Sequence, residues 1–159
     1  MNKLATLIVE DDEPKLRAIV KFFEEEFPSF PLLLARSLTS AVDVVMRNPI
    51  ELAVIDMSLP TYDLSHDSAG GGTPQGFGGS DILRFMHSEV GRVNTIVLTQ
   101  YEEFPSDGVG GCRSLDDLRV ELTRDLGSDF HGIIYYSGLH GEWRTKLKAL
   151  IDSLQAGTR

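Results

Sequence analysis

Leu52-Ala53-Val54-Ile55-Asp56-Met57-Ser58-Leu59-Pro60 runs from four consecutive apolar residues straight into an aspartate. A short apolar run of this kind reads as a strand buried on both faces, inside a parallel sheet. Open α/β sheets gather their chemistry at the carboxyl ends of such strands, which is where Asp56 falls. Two further stretches repeat the pattern. Leu7-Ile8-Val9 leads into Glu10-Asp11-Asp12, and Ile96-Val97-Leu98 leads into Thr99. Three buried strands therefore bring an acidic cluster, a lone carboxylate and a hydroxyl to one edge of one sheet.

Outward from these strands, strand and helix patterns alternate. A strand is expected over residues 4–9. A helix follows from Glu13 to about Phe27, with Leu16, Ile19, Val20, Phe23 and Phe27 at core spacing and Pro14 in its first turn. Residues 31–35 read as a strand, and Leu38, Ala41, Val42, Val45 and Met46 mark a helix that stops near Asn48-Pro49. Beyond the Asp56 strand, residues 80–89 read as a helix through Ile82, Leu83, Phe85 and Met86, and residues 95–98 as the fourth strand. Leu115, Leu118, Leu122 and Leu126 form a helical stripe, capped by Ser114 with Asp117 and stopped by Gly127. Residues 132–136 read as the fifth strand, and Trp143, Leu147, Leu150, Ile151 and Leu154 belong to a closing helix. Five βα units in sequence imply a parallel sheet with helices on both faces. Two segments interrupt the rhythm, residues 61–79 and 100–113, both rich in glycine and without apolar period. They read as long insertions that emerge on the same rim as Asp56.

The chain has 159 residues, which favours a single domain spanning 1–159. A formal net charge of −9 argues against direct nucleic-acid binding, since phosphate contacts need a basic face. One cysteine, Cys112, precludes an internal disulfide and suits a reducing compartment. Apolar runs of a few residues are too short to span a membrane, and no signal-peptide pattern opens the chain, so a cytoplasmic location is expected. His66, His87, His131 and His140 show no metal-ligand spacing.

Ile8-Val9-Glu10-Asp11-Asp12-Glu13-Pro14, Asp56 with Pro60 four residues on, Ile96-Val97-Leu98-Thr99 and Gly132-Ile133-Ile134-Tyr135 together resemble the receiver domains of two-component response regulators. The match covers nearly the whole chain, and the order of the pieces at strand ends makes the combination specific. The resemblance implies a flavodoxin-like (CheY-like), doubly wound five-stranded parallel sheet. It also implies that Asp56 accepts a phosphoryl group from a histidine kinase or phosphotransfer protein, assisted by Mg²⁺. An aspartate attacking phosphorus is repelled by the phosphoryl oxygens, so a bridging divalent cation is chemically reasonable, and Mg²⁺ takes oxygen ligands. Asp11 belongs to the acidic pair in either register. Its companion is Asp12 when counted back from Leu16-Arg17, and Glu10 when counted forward from the strand. Asp12 is also a good helix N-cap. The family's further ligand is the backbone carbonyl of Met57. Thr99 resembles the hydroxyl that hydrogen-bonds a phosphoryl oxygen, and Tyr135 the aromatic whose rotamer follows it.

The family also places a lysine at the end of the fifth strand, and in this chain that position counts to Gly138, or to Ser137 with a one-residue slip. No lysine occurs between Lys21 and Lys146, so no lysine side chain is expected to reach Asp56. Gln100 replaces the small residue usual after the hydroxyl.

The leading reading is a phosphoacceptor signalling domain, not an enzyme with a released product. It would act on a downstream protein through residues 61–79, 100–113 and the helix over 115–126, with a homodimer also compatible. The alternative is a phosphorylation-independent pseudo-receiver, motivated by the absent lysine. A phosphohydrolase using Asp56 fits less well, because the second aspartate expected two residues on is Ser58.

Overall fold

The computed structural model of the chain describes residues 3–60, 62, 78–101, 103–105 and 112–157. In chain order the elements are β1 (Thr6–Val9), α1 (Glu13–Glu26), β2 (Leu32–Ala35), α2 (Leu38–Arg47), β3 (Leu52–Ile55), α3 (Gly78–Phe85), β4 (Asn94–Thr99), β5 (Glu103–Pro105), β6 (Cys112–Ser114), α4 (Leu115–Leu126), β7 (Phe130–Tyr135) and α5 (Glu142–Gly157). Five of the strands pair in parallel in the order β2-β1-β3-β4-β7. This is the flavodoxin-like order, and it reverses direction between β1 and β3, the switch point where such sheets open a crevice.

Alternation along the strands divides the core. Leu7, Val9, Ala53, Ile55 and Val97 face α2, α3 and α4, packing on Ala41, Val45, Ile82, Leu83, Leu118 and Leu122. Ile8, Leu52, Val54, Ile96, Leu98 and Ile134 face α1 and α5. An aromatic layer fixes those two helices. The Phe22 ring lies 5.8 Å from Trp143, and Phe27 lies 4.9 Å from Phe30. α1 is thus held firmly enough to place side chains of its first turn with some accuracy.

Three local features differ from the sequence expectation. α3 starts at Gly78 and passes into a π turn over Met86–Val90. That turn closes on Gly91, whose φ of 100° suits only glycine and whose N–H donates to the Met86 carbonyl. Residues 100–113 are not without structure, because β5 and β6 form an antiparallel ribbon pairing Glu103 with Ser114 and Pro105 with Cys112. Three-residue strands near the two ends of a polar segment leave no period to read. Finally, β7 carries one extra residue between Phe130 and Ile133 where it faces β4, with Gly132 at φ 136°. This bulge sets Tyr135 opposite Thr99 and makes Tyr136 the first residue past the strand. Most of the insertion expected over 61–79, namely 61 and 63–77, lies outside the described residues, as do 102 and 106–111 of the other.

Candidate functional site

The register Val9↔Ile55 makes Glu10 and Asp56 leave adjacent strands side by side. Asp56 N–H donates to the Val9 carbonyl at 3.0 Å, and Glu10 N–H to the Ala35 carbonyl at 3.0 Å. Glu10 and Asp56 are only 1 % and 3 % exposed. One carboxylate oxygen each from Glu10, Asp11 and Asp56 lie within 4.8 Å of one another. Asp12 stands outside this triad and accepts the Lys15 backbone N–H at 3.1 Å, as the N-cap of α1. Of the two companions for Asp11 left open by counting, the structure gathers Glu10.

The expectation that no lysine reaches Asp56 is overturned. Lys15, 1 % exposed, sends its side chain from the first turn of α1 into the site. Its Nζ lies 2.5 Å from Glu10 Oε2 and 3.5 Å from Asp56 Oδ1, and donates to the Leu98 carbonyl at 2.7 Å. A lysine is almost never fully buried unless paired, and two carboxylates and a carbonyl pair this one. The residue just past the end of β7 that lies beside the site is Tyr136. Its N–H donates to the Thr99 carbonyl at 2.7 Å, and its ring centroid lies 5.6 Å from Lys15 Nζ. A signal for Lys15 existed in the sequence. It precedes Ile19 by four and Phe22 by seven, so helical spacing places it on the buried face of α1.

Burial sets the electrostatics. It pushes the Glu10 carboxyl up to about 7, against the opposing pull of Lys15 and reinforced by repulsion from Asp56. Asp11 is raised by burial and then by Asp56. Asp56 is raised by burial, with Lys15, the Met57 N–H and the Thr99 hydroxyl opposing. Three carboxylates face one ammonium, so with all of them ionised the cluster carries two uncompensated negative charges. Glu10 Oε2 pairs with Nζ, and a carboxylate oxygen so paired still has a lone pair to offer. A hard divalent cation with oxygen ligands fits this donor set in charge and chemistry.

Of the remaining predicted positions, Met57 and Thr99 lie against Asp56. Its Oδ1 accepts the Met57 N–H at 2.8 Å. The Met57 carbonyl accepts the Gly79 N–H at 3.0 Å. Thr99 is fully buried, and its Oγ1 accepts the Tyr101 N–H at 3.2 Å. Tyr135 is 45 % exposed, on the strand edge opposite Thr99. Gly79 is a functional position that sequence reasoning places only within an insertion. A Cβ there would stand 2.3 Å from the Asp56 carbonyl oxygen and 2.6 Å from Met57 Cα, so α3 can approach the site only with glycine at this point.

No family model matches the chain. Over 146 residues it is 27 % identical to the uncharacterized protein y4jR of Sinorhizobium fredii, across 91 % of this chain and 95 % of that one. It is 23 % identical over 149 residues to the Detocs response regulatory protein DtcB of Enterobacter cloacae, across 93 % and 98 %. Among solved structures, the phosphorylated cyanobacterial phytochrome response regulator RcpA superposes with a TM-score of 0.67 at 14 % identity, across 99 % of this chain and 98 % of that one.

Proposed function

We propose that this chain, which has the receiver-domain fold of two-component response regulators, is a phosphoacceptor signalling domain whose Asp56 takes a phosphoryl group from a histidine kinase or phosphotransfer protein. The observation that carries the reading is the placement of Asp56. It sits at the carboxyl end of a central strand, beside the switch point, with a second acidic strand end and a hydroxyl around it. The regulatory role named for the Enterobacter relative supports the same class.

Glu10, Asp11 and Asp56, with the Met57 carbonyl, would hold Mg²⁺. When bound, the ion screens the repulsion between the aspartate and the phosphoryl oxygens. Asp56 supplies the attacking oxygen, and the Met57 N–H and the Thr99 hydroxyl orient the carboxyl group. The product is a changed protein surface, not a released compound. A cytoplasmic location suits such a role, and among the described residues no helix is long and apolar enough to cross a membrane.

The test is intact mass after incubation with acetyl phosphate, with and without Mg²⁺, in wild type and Asp56→Asn. We expect a phosphoryl adduct in the wild type that depends on Mg²⁺ and is absent from the variant. Equal labelling of both proteins removes Asp56 as the acceptor, and no labelling of either leaves the phosphorylation-independent module.

A further inference from the structure

We infer that Lys15, delivered by the first turn of α1, is the cation that receives the incoming phosphoryl group, so that a helix residue performs this task in place of one at the strand end. The inference rests on Asp56 being the phosphoacceptor. Lys15 Nζ already lies 3.5 Å from Asp56 Oδ1, and its other partners, Glu10 and the Leu98 carbonyl, aim it at the rim of the sheet. An ammonium held by fixed acceptors costs little reorganisation when a new anion arrives, which is the condition for effective electrostatic stabilisation. Among the described residues, the other side chains that the structure pairs with Asp56 carry no positive charge.

The end of β7 explains why the lysine can come from α1. Tyr136 occupies the mouth of the strand, its ring 5.2 Å from Trp143 and 5.6 Å from Nζ. The aromatic fills the space on that side, packs Lys15 against the sheet and leaves the ammonium facing the carboxylates. A phosphoryl group on Asp56 would share Nζ with Glu10 and the Leu98 carbonyl and strengthen the load on α1. The contacts from Lys15 to Tyr136 and from Tyr136 to Trp143 would link that change in α1 to α5.

In the transfer step, an Asp56 carboxylate oxygen bonds to the phosphorus of acetyl phosphate. The bond from phosphorus to the acetyl oxygen breaks, and acetate leaves with the electron pair. Lys15 neither gains nor loses a proton. It neutralises charge on the transferring oxygens.

The test compares wild type, Lys15→Met and Lys15→Met/Tyr136→Lys for the rate of labelling by acetyl phosphate with Mg²⁺, each checked for folding by circular dichroism. Lys15→Met should slow labelling by about tenfold to a hundredfold, the loss of one hydrogen bond to a charged group. The double variant, which returns an ammonium to the strand end, should recover much of that loss, a rescue that a merely structural lysine would not show. A variant lacking only Lys15 that labels at the wild-type rate overturns the inference while leaving Asp56 as acceptor. A wild type that takes no label at all overturns both readings. If Lys15→Met does not fold, the ¹⁵N resonance of Lys15 Nζ in the wild type, recorded before and after adding beryllofluoride with Mg²⁺, decides the matter. A shift supports the contact, and an unmoved resonance in protein shown by mass to bind the analogue refutes it.

Discussion

A methyl group is enough to test how tightly the site is built at the scale of single residues. Gly79→Ala would put a Cβ against the backbone of Asp56 and Met57, where no flexible side chain can yield. The expected loss is about 1–3 kcal/mol of stability, the usual result of overpacking, read as a lower urea midpoint. The strand end must shift to accommodate it, so labelling of Asp56 should slow as well. A midpoint equal to wild type would show that α3 stands further off than its contacts indicate. Asp56 and Thr99 were legible in the sequence because each ends a run of buried apolar residues. Lys15 was not, because a charged residue on a helix is ordinarily assigned to solvent, and its burial depends on three partners that only the tertiary structure brings together. Tyr136 was equally hidden. Its position beside the site is set by the extra residue at Gly132, and a count along the strand cannot anticipate a bulge.

Among the elements, the link from β1 to α1 carries adjacent acidic residues with different tasks. Asp11 belongs to the carboxylate triad, whereas Asp12 caps the helix through the Lys15 N–H. Asp12→Ala should therefore cost about 1 kcal/mol of stability, the usual loss of an N-cap, and leave the Mg²⁺ dependence of labelling unchanged. Asp11→Ala should do the reverse, raising the Mg²⁺ concentration needed for half-maximal labelling with little effect on the urea midpoint. The same result for both variants would show that the two carboxylates share one role. The helices themselves were readable because their apolar stripes and caps agree. Ser114 accepts the Asp117 N–H while Asp117 accepts the Ser114 N–H, the reciprocal box expected from the sequence. Element ends were less readable where geometry departs from a single period, as in the π turn after Phe85 and the short ribbon of β5 and β6.

At the scale of the whole molecule, the fold ties down both ends of the segment between β3 and α3. The Pro60 carbonyl accepts the Leu38 N–H, and the Gly79 N–H returns to the Met57 carbonyl, so the chain comes back within one hydrogen bond of where it left the strand. A segment whose ends are held by the fold adds little to stability, because loop closure costs only about 0.6 kcal/mol per doubling of length. We therefore expect that replacing residues 63–76 with a short linker, keeping Leu59, Pro60 and Gly79, leaves the urea midpoint nearly unchanged. Labelling by acetyl phosphate should also persist, since the residues that line Asp56 remain. Transfer from the protein donor should fall instead, if residues 61–79 and 100–113 with α4 form the partner surface. A small donor needs only the carboxylate, whereas a kinase or phosphotransfer protein must also dock, and a net charge of −9 suits a basic docking face on that partner. A drop in both rates together would mean that the segment supports the site itself. Unchanged transfer from the protein donor would remove residues 63–76 from the interface and leave α4 and the β5–β6 ribbon to carry it.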